Sequence, residues 1–280
     1  MEVIKEKDTI LISNALDFNI TEILECGQIF SFKRIDYNKY FVISMEKTAT
    51  VIYEGYNTVI KTDYVDYFYN FFDLNTNYDD INKKIDRVYP EMKHYKEMGK
   101  GIRILRQDPL QTIISFIVSA NNNIKRIKNI LFKISDRFGS RIGQTNSHTF
   151  PTLQQLSVAT VEDFTELGTG YRASYLVETI KKLQTEEYDI NKLKSLPTKK
   201  LKQKLIELNG VGPKVADCIM LFGFSRMDVF PVDTWIRKFY YMFEDKKLSD
   251  EKISAYFVNK FKDLSGYIQQ YVYNFMINKS

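Results

Sequence analysis

Leu205-Ile206-Glu207-Leu208-Asn209-Gly210-Val211-Gly212-Pro213-Lys214-Val215-Ala216-Asp217-Cys218-Ile219-Met220 is the stretch on which the reading of this chain turns. Upstream of the turn, Leu201, Leu205 and Leu208 stand at helical spacing and predict a helix from Thr198 to Leu208. Asn209 to Pro213 breaks that period. Gly210 suits a left-handed helix C-cap, and Pro213 suits the first turn of a second helix, expected to run to about Phe224. Val215, Ile219 and Phe222 fall on its core face. A turn of this build aims backbone N–H groups outward at a helix start, where phosphate binds without any side chain. Lys214 lies in that first turn, and Cys218, four residues on, shares its face. Asp233 follows nineteen residues after Lys214, within Phe230-Pro231-Val232-Asp233-Thr234-Trp235.

Composition bounds the rest. The 280 residues, 44% hydrophobic and 27% charged, describe a globular chain able to bury one large core or two. No run approaches the ~18 apolar residues of a membrane span. Met1 to Glu6 lacks a signal-peptide core, so the chain reads as intracellular, and in a bacterium as cytoplasmic and nucleoid-associated. Cys26 and Cys218 are too few for a disulfide framework, a four-cysteine zinc site or an iron–sulfur cluster. His94 and His148 have no partners at ligand spacing, which argues against a zinc deaminase or a histidine-based hydrolase. A net charge of +5 is compatible with a polyanionic partner.

Along the chain, residues from about Asp8 to Thr62 alternate and the rest are periodic. Strands are expected at 8–13, 28–33, 39–44, 48–53 and 58–61, with turns at Tyr37-Asn38 and Gly55-Tyr56-Asn57. Sequential short strands with tight turns predict an antiparallel sheet. From Asp63 the period becomes helical, with Tyr64, Phe68, Phe71 and Phe72 forming an aromatic stripe of core. Asp108-Pro109 reads as an N-cap and first position, opening a buried helix that ends in Asn121-Asn122-Asn123. A helix from Ile124 to Phe138 follows. Leu167-Gly168-Thr169-Gly170-Tyr171-Arg172 is a second Gly-x-Gly turn before a helix. The fold class is therefore α+β: residues 1–105 as a twisted antiparallel sheet with docking helices, and residues 106–280 as a helical body with the hairpin at about 201–224.

Hairpin, lysine, aspartate segment and Asn121-Asn122-Asn123-Ile124, in that spacing, resemble the HhH-GPD (helix-hairpin-helix) superfamily of DNA glycosylases, and within it the 8-oxoguanine DNA glycosylases with abasic-site lyase activity. The shared motifs run from about Cys26 to Tyr273. The resemblance implies excision of 8-oxoguanine opposite cytosine from duplex DNA, followed by strand cleavage through β-elimination.

It also implies roles for individual residues. Lys214 is the nucleophile that displaces the base and forms an imine, and the positive end of a helix dipole there favours the neutral amine. Asp233 stabilises positive charge on the sugar, and its position before Thr234 also suits an N-cap. Gly27, Cys218, Gln269 and Tyr273 form the base pocket. Gly27 would offer its carbonyl to the N7 hydrogen that 8-oxoguanine has and guanine lacks. Asn121, Arg126 and Arg172 would face the orphaned cytosine, whose pairing edge offers acceptors to guanidinium donors. Tyr171 would wedge into the stack, and Gly210, Gly212 and Trp235 would touch the DNA backbone. The chain departs from the family pattern in Trp235, where histidine is common, in Tyr273, where phenylalanine is usual, and in Thr169, where leucine is frequent.

The expected partner is double-stranded DNA containing 8-oxoguanine, bound by a monomer, with no membrane. The expected reaction uses no cofactor; the hairpin's carbonyls are the donors suited to a structural monovalent or calcium ion. Two other readings fit part of the pattern. One is a monofunctional glycosylase acting on alkylated bases through Asp233 and water, against which Lys214 argues. The other is a non-catalytic helix-hairpin-helix DNA-binding module, which would not require Asp233.

Overall fold

Alternation in the N-terminal sequence becomes a six-stranded antiparallel sheet. In this computed structural model, residues 1–278 are described. The strands are β1 (Glu2–Lys5), β2 (Thr9–Ser13), β3 (Phe32–Asp36), β4 (Lys39–Ser44), β5 (Lys47–Glu54) and β6 (Asn57–Lys61), in sheet order β1-β2-β6-β5-β4-β3. Register follows the period of two: Ile10 pairs Ile60 and Ile12 pairs Thr58, all four buried on one face. In the β3–β4 hairpin Phe32 pairs Val42, and the register shifts between Arg34 and Asp36.

Three local expectations need correction. The strand expected at 28–33 begins only at Phe32. Gln28 is held instead by its own side chain, which bonds the Ile23 and Arg103 carbonyls and the Leu105 N–H. Side chain-to-backbone bonds of this kind displace a ladder. Helix α1 (Ile20–Glu25) was not foreseen, because six residues carry too little period to detect. Asn19 caps it by accepting from the Glu22 N–H at 3.3 Å. Tyr64 is not core: it precedes α2 (Val65–Phe71) and is exposed, whereas Phe68, Phe71 and Phe72 are buried.

The remaining helices are α3 (Tyr78–Val88), α4 (Lys93–Met98), α5 (Pro109–Ser119), α6 (Ile124–Phe138), α7 (Leu153–Leu156), α8 (Val161–Glu166), α9 (Arg172–Leu183), α10 (Ile190–Ser195), α11 (Thr198–Ile206), α12 (Pro213–Gly223), α13 (Thr234–Tyr240), α14 (Asp250–Phe261) and α15 (Ser265–Asn278). None of the described helices is long and apolar enough to cross a membrane.

Two compact units divide the chain. The first takes Met1–Gln28, Val51–Arg106 and the residues from Ser225 onward; the second takes Ile29–Thr50 and Gln107–Phe224. The C-terminal helices thus group with most of the N-terminal segments, and Ile29–Thr50 groups with the central helices.

In the second unit α5 is the buried axis. Asp108 caps it through the Gln111 N–H at 3.1 Å, Pro109 occupies its first turn, and every residue from Pro109 to Val118 is buried. A helix apolar on all sides must be covered on all sides. Phe116 stacks on Phe222 of α12 at 5.6 Å, and Gly223 permits the approach, since a Cβ there would meet Thr112 at 3.1 Å. The first unit has its own core. Phe230, Phe257 and Phe261 stack in sequence, with Ile236, Phe239, Ile268 and Val272 around them. Each such side chain contributes roughly 1.5–3 kcal/mol when fully buried.

Candidate active site

The hairpin forms where the leucine spacing places it. Leu201, Leu205 and Leu208 are buried, and the Val211 N–H closes the turn on the Leu208 carbonyl at 3.1 Å. Gly210 has φ +82°, and a Cβ there would come within 2.9 Å of the Tyr175 ring and 3.2 Å of Ile117. The sequence needs glycine here for both reasons. Gly212 is different: its φ is −84°, and nothing lies within 4 Å of a Cβ built on it. As the N-cap of α12 it offers no side-chain cap, and Pro213 has no N–H to cap. The first-turn amides of α12 are thus left without a side-chain partner from Gly212, which is what an anion needs.

Lys214 stands in that first turn, half-buried, its Nζ 5.7 Å from the centre of the Phe116 ring. Cys218, one turn on, is 4% exposed. Between them Asp217 is buried and pairs with Lys202 of α11 at 2.7 Å, tying the two hairpin helices together.

The second Gly-x-Gly turn is bound to the asparagine turn. Asn121 is exposed with φ +49°, and Asn123 caps α6 through the Arg126 N–H at 2.9 Å. Arg126 is exposed and donates to the Gly168 carbonyl at 3.2 Å. Tyr171 is 56% exposed, in edge contact with Tyr175 at 5.9 Å. Arg172 lies inward in this structure. It is 3% exposed, with its guanidinium donating to the carbonyls of Ala120, Asn121 and Thr169. Its plane lies over the Tyr171 ring at 4.4 Å. Arg172 therefore ties the two turns together, a duty its sequence position did not disclose. A groove of about 520 Å³ runs along this surface, lined by Ile117, Tyr171, Tyr175, Leu208, Gly210 and Gly212 among others.

The first unit holds the remaining candidates. Asp233 caps α13: its Oδ1 accepts from the N–H groups of Trp235 and Ile236, both at 2.9 Å. Asp233 itself is half-buried, behind the buried Phe230, Pro231 and Val232. Trp235 is half-buried, with the Lys238 ammonium 4.3 Å over its ring. Gln269 and Tyr273 share one face of α15 at a spacing of four. Gln269 is 4% exposed and donates to the Pro231 carbonyl at 3.2 Å. Gly27 has φ +81°, and a Cβ there would lie 3.4 Å from the Tyr273 hydroxyl. Gly27, Gln269 and Tyr273 are thus gathered around α15, as far as this unit goes.

Sequence reasoning passed over Tyr175, Gln28 and Gln270. Tyr175 had a signal, since it lies four residues from Tyr171 on α9. The two glutamines had none, being polar residues in apolar runs that give no hint of burial. Among the described residues, no group of three or more His, Cys, Asp or Glu side chains could hold a metal ion.

The N-terminal domain model of 8-oxoguanine DNA glycosylases matches residues 10–113, and the model of the HhH-GPD superfamily of base excision DNA repair proteins matches residues 114–262. The N-glycosylase/DNA lyase of Saccharomyces cerevisiae is 34% identical over 198 residues, covering 66% of this chain and 51% of the yeast protein. N-glycosylase/DNA lyase OGG1 of Arabidopsis thaliana is 35% identical over 205 residues, covering 68% of this chain and 55% of the plant protein. The chain spans about half the length of these two curated relatives. Among solved structures, Clostridium acetobutylicum 8-oxoguanine glycosylase/lyase in complex with double-stranded DNA containing cytosine opposite 8-oxoG matches with a TM-score of 0.93. It is 35% identical, covering 100% of this chain and 98% of that one.

Proposed function

The chain belongs to the HhH-GPD superfamily of base excision DNA repair proteins and carries the N-terminal domain of 8-oxoguanine DNA glycosylases; on that premise we propose that it excises 8-oxoguanine from duplex DNA and then cleaves the strand. The observation that carries this reading is Lys214 in the first turn of α12, two residues after an N-cap glycine with open space beside it.

The hairpin's first-turn amides grip the backbone, and the lesion leaves the stack at a cost of a few kcal/mol. The Lys214 amine attacks C1′ as the C1′–N9 bond breaks, and one amine proton ends on N9 of the departing base; the C1′–O4′ bond then opens, O4′ takes the second amine proton, and Lys214 is left joined to C1′ as an imine. The Asp233 carboxylate stabilises the positive charge that builds on the sugar. The resulting imine then loses a proton from C2′, and the C3′–O bond breaks, freeing the 3′ strand as a 5′ phosphate. Lys214 and Asp233 carry this chemistry, which calls on no metal.

Preference for cytosine opposite the lesion belongs to the same proposal. Exposed Asn121, Arg126 and Tyr171 support it, and Arg172 would exchange its carbonyl partners to reach a base. Borohydride trapping on an 8-oxoguanine duplex is the deciding experiment. A covalent protein–DNA adduct is expected; base release without an adduct would instead point to a monofunctional glycosylase. A panel of duplexes with each opposite base then reads the preference.

A further inference from the structure

Gln269 is not held by its neighbours at random. Its Nε2 donates to the Pro231 carbonyl at 3.2 Å, and its Oε1 accepts from Gln270 Nε2 at 2.7 Å. A carbonyl only accepts, so the amide nitrogen must face Pro231 and the amide oxygen must face Gln270. Gln270 is fixed in turn. Its Oε1 lies 3.7 Å from the Cys26 sulfur, whose hydrogen also has the Ile23 carbonyl in reach at 3.5 Å, and Gln28 Nε2 lies 3.5 Å from the same sulfur. Burial pushes the Cys26 thiol up to about 12, so it keeps its proton. Gln28 is anchored at both ends of its amide, to the Ile23 and Arg103 carbonyls at 2.8 and 2.9 Å and to the Leu105 N–H at 2.9 Å. Cys26, Gln28, Gln269 and Gln270 are all at most 4% exposed. A buried chain of four polar side chains is costly unless each is satisfied, so its orientation is well determined.

We propose that Gln270, backed by Cys26 and Gln28, is a specificity-determining positioning residue that sets which way round the Gln269 amide meets the purine. This rests on the 8-oxoguanine reading above. The internal bonds use one lone pair of Gln269 Oε1 and one hydrogen of Nε2. One acceptor and one donor are left, in a fixed order. The guanine-type pairing edge offers donors at N1 and N2 beside an acceptor at O6, which that order matches. The same chain sets the peptide at Gly27, because Cys26 and Gln28 flank it.

The test uses the full chain with Gln270→Glu and Gln270→Met. A carboxylate at 270 repels Gln269 Oε1 and favours a flipped amide; methionine keeps the volume and removes the bond. Single-turnover excision is measured on duplexes carrying 8-oxoguanine or 8-oxohypoxanthine, which lacks the 2-amino group, with lyase cleavage of an abasic duplex alongside. Wild type should favour 8-oxoguanine. Gln270→Glu should lose on the order of tenfold of that preference, and Gln270→Met part of it, with abasic cleavage within about twofold of wild type. An unchanged ratio in both variants overturns the inference while leaving the function standing. So does a parallel fall in excision and abasic cleavage, which would mean a merely structural role. Failure of the wild type itself to release 8-oxoguanine overturns both.

Discussion

Gly27 lies against Tyr273: a methyl group in place of the glycine hydrogen would sit 3.4 Å from the tyrosine hydroxyl. That distance is ordinary contact, so space alone does not require glycine. The backbone does, at φ +81°. Gly27→Ala should therefore cost about 1–2 kcal/mol of stability, read by urea unfolding. It should also slow 8-oxoguanine release more than abasic cleavage, because it disturbs the pocket and not the amine.

Lys214→Gln should bind lesion duplex with affinity close to wild type and form no borohydride adduct. Its single-turnover excision should fall by several orders of magnitude, the scale at which enzymes depend on a covalent nucleophile. Retained excision by this variant would remove Lys214 from the mechanism.

Asp233 has two duties that one substitution separates. Its Oδ1 accepts both capping bonds of α13 at 2.9 Å, and an asparagine oxygen can do the same. Asp233→Asn should leave the unfolding midpoint nearly unchanged, whereas Asp233→Ala should cost about 1 kcal/mol. Both should slow excision. Wild-type single-turnover rates in Asp233→Asn would leave capping as its sole role.

The two hairpin glycines should respond differently to alanine. At Gly210 the φ of +82° and a 2.9 Å clash with the Tyr175 ring predict a loss of about 1–3 kcal/mol in stability. At Gly212 the space is open and φ is −84°, so Gly212→Ala should fold normally. Its added methyl stands beside the first-turn amides, and DNA affinity should fall, as measured by anisotropy with an undamaged duplex. Equal effects of the two substitutions on stability would contradict this geometry.

Cys26 should be inert. With the thiol raised from 9.0 to about 12 by burial, the folded protein should resist alkylation at Cys26 at pH 8, read by peptide mass spectrometry. The linkage sign is also fixed. Below about pH 9 the thiol is protonated in both states and contributes no slope. Between about pH 9 and 12 only the unfolded thiol ionises, so stability falls as pH rises. Cys26→Ser should remove that part of the alkaline slope.

Much of this was legible in the residues themselves. Asp108-Pro109 and Asp233 each announced a helix start, and each caps one. The hairpin was readable because leucine spacing, Gly210 and Pro213 lie within one short window. The strand expected at 28–33 was misplaced because Ile29 and Phe30 mimic a strand, while the bonds that fix Gln28 come from residues 103–105. The resemblance implied that Arg172 faces the orphaned base, and nothing in the local sequence signals the three carbonyls that its guanidinium meets in the structure.

What the sequence decided alone was everything encoded by period and by turn chemistry: the helices, their caps, and a phosphate-ready turn with a lysine behind it. Such features depend on neighbours within about one or two turns of chain. Resemblance put Gly27 and Tyr273 in one pocket, but only the tertiary structure decided that they touch, and that a thiol and a glutamine 244 positions apart hold one another. No local pattern carries those contacts, because the partners share neither an element nor a period; only the packing of α15 against the turn at residues 26–28 brings them together.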